Sequence, residues 1–115
     1  MRRNLEPLLH RAGVDIVLNG HVHSYERTAP VFDREVEPCG VVHLNLGDGG
    51  NREGAYIPWK EPQPEWSMFR EASFGVGRLL LHNATHAEYL WARHACMNSD
   101  SPQNIRLDPA SVEAT

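Results

Sequence analysis

The stretch "VDIVLNGHVHSYERTAPV", residues 14–31, decides how the chain is expected to fold. It opens with an apolar run that ends at Asn19-Gly20, a dipeptide typical of a break in a strand. Two histidines, His21 and His23, follow at once. Ligands of α/β folds bind just past the carboxyl ends of strands, so both imidazoles lie where a functional loop is expected.

The residues before this stretch predict a short helix. Asn4 can cap a helix over residues 5–12, in which the leucines fall on one face. Pro7 would lie in the first turn, where a missing N–H costs little, and Gly13 can close the helix in the left-handed conformation. A buried strand over residues 14–18 then completes an α/β unit.

The residues that follow predict more strand and an irregular loop. A second strand is expected over residues 39–46, with Val42, Leu44 and Leu46 on one face. A glycine-rich turn follows, and the proline-containing residues 52–65 are expected to form a surface loop. Residues 65–71 are expected to form one or two helical turns.

The last structured region is expected to be a hairpin. Residues 73–82 and 85–94 alternate between apolar and polar positions and reverse at Asn83-Ala84. The predicted fold class is therefore α/β (α+β) with mostly antiparallel strands. The apolar run of the first strand indicates burial on both faces, and one helix cannot cover both. We therefore expect part of the fold to lie outside these residues.

Composition limits the function. The 115 residues are 41% hydrophobic with a net charge of −4, and Lys60 is the one lysine. Scattered arginines form no basic stripe for a nucleic-acid backbone, and no apolar run reaches the ~18 residues of a membrane span. The N-terminus lacks the apolar core of a signal peptide. Cys39 and Cys96 are either one disulfide or two thiols, and neither lies in a setting that would make it catalytic.

The two histidines are the candidate metal ligands. Neutral imidazole binds Zn, Fe and Mn, and residues i and i+2 of an extended segment face the same side about 6.6 Å apart. His21 and His23 could hold one ion or serve two. A catalytic site needs at least three protein ligands. The carboxylates nearby are expected to be structural, and Asp48 is expected to hydrogen-bond its own backbone turn. The other histidines are expected to be structural or surface residues: His10, His43, His82, His86 and His94.

Four segments together resemble the C-terminal part of plant-type purple acid phosphatases, in the metallophosphoesterase superfamily. They are "VDIVLNGHVHSYERTAPV", "GVVHLNLGDGGNREG", "EWSMFREASFGVGRL" and "HNATHAEYLW", in the order of the family. The resemblance implies a partial metallophosphoesterase-like β-sandwich flanked by helices. It places the C-terminal part of the catalytic domain at residues 4–96 and the family's C-terminal region at about 38–94. Residues 97–115 are polar and contain Pro and Ser, so they are expected to form a disordered tail.

The same resemblance implies hydrolysis of phosphate monoesters at a dinuclear centre of Fe(III) with Zn, Mn or Fe(II). His21 matches a ligand of the divalent ion and His23 a ligand of the ferric ion. The remaining ligands and the substrate-contacting histidines match positions upstream of this chain, so no catalytic residue is assigned here. Tyr25 does not match the family's metal-binding tyrosine.

Two positions depart from the family pattern. Val76 stands where the family commonly has a histidine in "FGHG", and His43 stands where a tyrosine is common. Neither is a metal ligand in that pattern. The triplet Asn83-Ala84-Thr85 is an N-glycosylation acceptor at a predicted surface turn.

Three functions remain open. The first is a fragment of an acid phosphatase, inactive alone, whose full-length parent is secreted or vacuolar/lysosomal and is compatible with a homodimer. The second is a stand-alone non-catalytic module that uses "GHVH" for metal binding or interaction. The third keeps the enzyme but changes the substrate to a phosphodiester, a pyrophosphate or phytate.

Overall fold

The computed structural model describes residues 2–56, 58–94 and 107–110. They form one helix and nine strands. The helix is α1 (Arg2–Arg11). The strands are β1 (Ile16–Asn19), β2 (Tyr25–Thr28), β3 (Val31–Phe32), β4 (Glu35–Val36), β5 (Val42–Leu46), β6 (Ser67–Glu71), β7 (Gly75–Leu81), β8 (Ala87–His94) and β9 (Leu107–Ala110).

The strands form two sheets and a small ribbon. The first sheet has the order β1-β5-β2-β6, the second the order β7-β8-β9, and β3 and β4 form the ribbon. β1 and β5 are parallel, and every other pair in the described residues is antiparallel. The predicted fold class is confirmed: the described residues form a partial β-sandwich of mostly antiparallel strands with one short helix.

The core lies between the two sheets and is mainly aromatic. Tyr25 of β2 and Trp91 of β8 stack with their ring centroids 4.7 Å apart and their planes inclined by 7°. Leu44 and Tyr89 complete the buried cluster, and Phe69 of β6 packs against it. Tyr89 and Trp91 lie two positions apart in β8 and both are buried, so they share the core face of that strand.

Two glycines of β7 make room for these rings. A Cβ on Gly75 would lie 2.6 Å from the Trp91 indole, and one on Gly77 would lie 1.5 Å from the Tyr89 hydroxyl. Val76, between them, is 50% exposed. The departure from the family pattern at position 76 therefore falls on the solvent side of β7.

The helix differs in detail from the prediction. It begins at Arg2, so Asn4 lies inside it rather than capping it, and Pro7 lies in the second turn rather than the first. The missing Pro7 N–H would have bonded the carbonyl of Arg3, an exposed first-turn residue that water can reach. Gly13 has φ 66° and closes the helix in the left-handed conformation, as predicted.

The expected helical turns over residues 65–71 are wrong. β6 occupies most of this range and pairs with β2. The open edge of β2 supplies backbone partners that an isolated helical turn lacks, and Ser67 Oγ donates to Glu26 Oε1 at 2.6 Å. Trp66 and Phe69 therefore lie apart: Phe69 packs on the core, while Trp66 lines a groove on the opposite face of the sheet.

The ribbon of β3 and β4 had no predicted counterpart. Its two-residue turn consists of Asp33 and Arg34, with φ of 47° and 74°. Two positive φ values are what a type I′ hairpin turn requires, a turn usually signalled by Asn-Gly or Asp-Gly. Without glycine the sequence gives little indication of it.

The boundaries of the predicted strands also shift. β1 covers Ile16–Asn19 rather than residues 14–18, and its Leu18 is 53% exposed rather than buried on both faces. Among the described strands β1 is the edge of its sheet, which leaves this side chain accessible to solvent. The second strand begins at Val42, and exposed Cys39 is a free thiol in the preceding turn. Cys96 lies outside the described residues.

The C-terminal expectation is tested at only four positions. Residues 107–110 form β9 and pair with β8, so for them the expected disorder is not found. The rest of the predicted tail, 97–106 and 111–115, lies outside the described residues. No helix in the described part of the chain is both long enough and apolar enough to cross a membrane.

Candidate metal centre

The two candidate ligands lie in a loop at the carboxyl end of β1. β1 ends at Asn19, and residues 21–24 form a series of bends before β2 begins at Tyr25. Because β1 and β5 are parallel, their carboxyl ends meet at the same edge of the sheet. The loop containing His21 and His23 therefore lies beside the glycine turn that follows β5, as expected for a ligand-binding edge.

The backbone of this loop is not extended. His21 has φ 81°, in the region that side chains rarely adopt, and Ser24 N donates to Val22 O at 2.8 Å across His23. The argument from an extended segment, which placed the two rings on one side, is therefore wrong in its premise. A non-glycine residue held at positive φ costs of order 1–3 kcal/mol and recurs at functional sites.

The end of β5 holds the loop in this conformation. Asn45 Nδ2 donates to the carbonyls of Val22 at 3.0 Å and Ser24 at 2.7 Å. Gly47 approaches so closely that a Cβ there would lie 1.9 Å from Val22 O. The bonds from Asn45 satisfy carbonyls that the bends leave without ladder partners.

The loop after β5 also contacts the histidine loop. Tyr56 N donates to His23 O at 2.7 Å. Glu53 Oε2 lies 3.7 Å from His23 Nδ1. His21 is exposed, whereas the side chain of His23 is 29% exposed. His23 is thus the more constrained of the two candidate ligands.

Sequence reasoning missed the residues that support the loop. Asn45 was a polar residue within an apolar strand, which is a readable signal of a buried bonding role. Gly47 and Glu53 gave no comparable signal, because their roles depend on the contact between two loops distant in sequence. Among the described residues no group of three or more His, Cys, Asp and Glu side chains could hold a metal ion. A shared metal for His21 and His23 stays a prediction.

Asp48 has a structural partner that the sequence did not reveal. It is 3% exposed, and its Oδ2 accepts a 2.6 Å hydrogen bond from Trp91 Nε1. Its own backbone also bonds the carboxylate, in line with the expectation for a turn aspartate. Burial raises the pKa of Asp48, while the bond from Trp91 acts in the opposite direction. The hydrogen bond from Trp91 therefore connects the glycine turn to β8.

Tyr25 is a core residue rather than a metal ligand. It is fully buried between the sheets, and its hydroxyl has no hydrogen-bond partner among the described residues. Burial raises the pKa of Tyr25 far above its ordinary value, and burial likewise raises the pKa of Tyr89 to about 12. Both phenols therefore remain protonated.

A cavity lies between α1 and the first sheet. It has a volume of about 560 Å³, and neither His21 nor His23 lines it. Its polar wall includes Glu26 and His43, and burial lowers the pKa of His43 while the Glu6 carboxylate opposes that change. The groove is therefore distinct from the histidine loop.

His82, His86 and the sequon lie at the connection between β7 and β8, whereas His10, His43 and His94 lie in α1, β5 and β8. Asn83 is exposed in the connection between β7 and β8, as predicted. Its Oδ1 accepts from Thr85 N at 2.9 Å and from Thr85 Oγ1 at 3.0 Å. His82 pairs with Glu88 at 3.1 Å.

Comparison with known proteins identifies the family. Residues 40–101 match the model of the iron/zinc purple acid phosphatase-like protein C family. Purple acid phosphatase 18 of Arabidopsis thaliana is 56% identical over 94 residues, which cover 82% of this chain and 22% of the relative. Purple acid phosphatase 1 of Ipomoea batatas is 40% identical over 129 residues, covering 99% of this chain and 24% of the relative.

A solved structure agrees with these matches. The purple acid phosphatase PPD1 from yellow lupin (Lupinus luteus) seeds superposes with a TM-score of 0.70 at 25% identity, covering 78% of this chain and 17% of that one. The chain spans about a quarter of the length of the curated relatives described above. By its fold and its sequence, the chain belongs to the iron/zinc purple acid phosphatase-like proteins.

Proposed function

We propose that this chain supplies His21 and His23 to the dinuclear metal centre of an acid phosphatase that hydrolyses phosphate monoesters. The centre would contain Fe(III) with Zn, Mn or Fe(II), and its other ligands would come from residues outside this chain. The observation that carries the proposal is the two-histidine loop at the shared carboxyl edge of β1 and β5, in a chain of the purple acid phosphatase family.

The donor chemistry fits such a centre in part. Imidazole nitrogen is a suitable ligand for iron, zinc and manganese. His21 is exposed, so its ring is accessible to an ion bound between this chain and a further segment. When bound, two metal ions supply Lewis-acid charge and an activated nucleophile for in-line displacement at phosphorus.

The chain's own residues would hold the two imidazoles in place. Asn45 and Gly47 fix the backbone on either side of His23, and the amide of Tyr56 fixes its carbonyl. A ligand held before the ion arrives loses less side-chain entropy on binding. The contacts that hold the loop therefore support its proposed role, in addition to its two histidines.

The stand-alone module is the less favoured alternative. The relatives are named purple acid phosphatases and are about four times as long as the segment they share with this chain. A phosphodiester, a pyrophosphate or phytate stays open as substrate, because the predicted substrate contacts fall outside this sequence. We propose further that the parent protein is secreted or vacuolar, which would expose Asn83 to glycosylation.

The test is a chimera with a relative. Purple acid phosphatase 18 with its matched region replaced by the corresponding residues of this chain should hydrolyse p-nitrophenyl phosphate. His21→Ala or His23→Ala should lower kcat/KM by at least about a hundredfold, because removal of a metal ligand disturbs the spacing that two-metal catalysis requires.

The matched control is His86→Ala, since His86 lies in the exposed hairpin connection. This change should leave kcat/KM within about twofold of the unmutated chimera. The isolated chain, given iron and zinc, should not exceed the rate of buffer with the same metals. Full activity and metal content in both histidine variants of the chimera would refute the proposal.

A further inference from the structure

Asn19 and Gly20 form a chemically reactive pair at the end of β1. Asn19 is the one asparagine of the sequence that precedes a glycine, and both residues are exposed. A Cβ added to Gly20 would contact nothing within 4 Å, so the space around its backbone is open. In such a pair the glycine amide nitrogen can approach the side-chain carbonyl carbon of the asparagine, because no Cβ obstructs it. The pair can therefore react within the main chain.

The attacking nitrogen lies on the open edge of the sheet. Val42 N donates to Asp15 O at 2.9 Å, so Asp15 and every second residue after it direct their backbone groups toward β5. Asn19 belongs to this set. Gly20 is the next residue, so its N–H points away from β5, toward a side on which the described residues contain no further strand. The nitrogen is therefore not held by the ladder of the sheet.

The side chain of Asn19 also helps to hold the histidine loop. Its Nδ2 donates to Asn45 Oδ1 at 3.2 Å. Asn45 is 8% exposed and uses its own Nδ2 to bond the carbonyls of Val22 and Ser24. Because a carboxamide is planar, one orientation of Asn45 makes all three bonds, and the bond from Asn19 favours that orientation. Asn19 is thus connected to the loop through Asn45.

We propose that Asn19 is a site of spontaneous deamidation and that this change loosens the histidine loop. Gly20 N forms a bond to Asn19 Cγ, and the side-chain nitrogen leaves as ammonia with the proton of the Gly20 amide. The cyclic imide that results adds one water molecule at either of its carbonyls. The products are aspartate, or isoaspartate in which the main chain runs through the former side chain. Water is the only co-reactant.

Both products remove the donor that bonds Asn45. A carboxylate has acceptor oxygens alone, so at position 19 it would face Asn45 Oδ1, which is also an acceptor. Rotation of the Asn45 amide would relieve that contact, but it would direct Oδ1 at the carbonyls of Val22 and Ser24. The loop is therefore weakened in either orientation. Isoaspartate further adds a main-chain carbon two residues before His21.

The first experiment follows the modification itself. The chain is incubated at mildly alkaline pH, at a concentration where sedimentation shows monomers, and peptide mapping separates asparagine, aspartate and isoaspartate. We expect conversion at Asn19 well before conversion at Asn51 or Asn83, which are also exposed but precede larger residues. The bond to Asn45 must open first, so the folded chain should react about twofold to tenfold more slowly than the chain unfolded in urea.

Two glycine variants test whether the open backbone is required. Gly20→Ala should remove most of the conversion at Asn19, because the added Cβ obstructs the attacking nitrogen. Gly49→Ala, at another glycine where a Cβ would meet nothing within 4 Å, should leave the conversion unchanged. Conversion of Asn19 only in urea, or at an equal rate in Gly20→Ala, overturns the modification site.

The second experiment measures the effect on the loop. Asn19→Asp reproduces one product, and hydrogen exchange of the Asn45 side-chain amide reports its bonds to the loop. We expect this exchange to be about twofold to tenfold faster in Asn19→Asp, from the loss of one hydrogen bond. Asn19→Gln keeps a donor and should resemble the unmutated chain. Asn51→Asp adds the same charge at an exposed site after β5 and should leave the exchange unchanged.

The effect on metal binding rests on the function proposed above, whereas the modification does not. In the chimera, Asn19→Asp should weaken metal retention against a chelator about twofold to tenfold relative to Asn51→Asp, as the loop opens more often. If the isolated chain gives a collapsed spectrum, exchange is read in the metal-free chimera instead.

The outcomes separate the two proposals. Unchanged exchange of the Asn45 amide in Asn19→Asp overturns the role of Asn19 in holding the loop. Metal content that is insensitive to both Asn19→Asp and His23→Ala refutes the metal centre, while conversion of Asn19 and faster exchange in the metal-free protein still support the deamidation site.

Discussion

At the scale of single residues, Asp48 links protonation to stability. Burial raises its pKa above the ordinary value of 3.8, and the Trp91 hydrogen bond only partly opposes this. The folded chain therefore holds the proton more tightly than the unfolded chain. The stability from this group is complete below the unfolded pKa and is lost as pH rises through the folded pKa.

Asp48→Asn removes this ionisation and keeps an acceptor for Trp91. We expect its free energy of unfolding, relative to the unmutated chain, to increase as pH rises from about 4 to about 7. Asp48→Ala should instead be destabilised by about 1–3 kcal/mol at every pH, because the Trp91 N–H loses its partner. Urea unfolding at several pH values measures both. Parallel pH profiles for Asp48→Asn and the unmutated chain would contradict the assignment.

The absence of a side chain at Gly47 allows its backbone to approach the histidine loop closely. A Cβ there would lie 1.9 Å from Val22 O, so Gly47→Ala must displace one of the two backbones. We expect a loss of about 1–3 kcal/mol in the free energy of unfolding and altered amide signals at His21 and His23. Gly49→Ala is the control, since a Cβ at Gly49 would contact nothing within 4 Å. Equal effects of the two changes would show that the close approach is unimportant.

At the scale of elements, the β7–β8 hairpin presents the sequon. Asn83 is exposed and lies away from the aromatic core. It belongs to the connection before β8, five positions ahead of Glu88. We expect a glycan on Asn83 when the chimera is secreted from eukaryotic cells, observed as a mass shift that an endoglycosidase removes. Thr85→Ala should abolish the shift, and Thr85→Ser should keep it, because the acceptor requires a hydroxyl at this position. Bare Asn83 in the secreted protein would refute the prediction.

At the scale of the whole molecule, β1 is the edge strand of its sheet in the part of the chain that the structure describes. Leu18 is 53% exposed and Val22 just beyond it is 43% exposed. An edge with apolar side chains and unpaired backbone groups favours association between chains. In a longer protein the same edge would be available to pair with a further strand.

We expect the isolated chain to associate through this edge. Leu18→Lys should lower the weight-average mass measured by sedimentation at a given concentration, because a charged edge residue opposes strand pairing. Leu81→Lys is the comparison, since Leu81 is 76% exposed but lies at the end of the hairpin in the other sheet. An equal decrease in both variants would indicate general hydrophobic association instead.

The predictions that succeeded were those supported by local pattern. The alternation on either side of Asn83 predicted the hairpin, and Gly13 correctly marked the end of the helix. The wrong predictions concern segments in which the local pattern carries no signal or favours a different element. The segment that became β6 carries helix-compatible residues, and its strand conformation follows from pairing with β2.

The sequence by itself determined the family, the mainly antiparallel character and the position of the two histidines after the first strand. The strand character and the position of the histidines follow from residue order and periodicity, which depend on near neighbours along the chain, whereas the family follows from the resemblance of four segments. Only the tertiary structure decided how the histidine loop is held, with Asn45 and Gly47 beneath it and Glu53 beside His23. Those contacts join segments more than twenty residues apart, and their geometry arises only when parallel pairing brings the ends of β1 and β5 together.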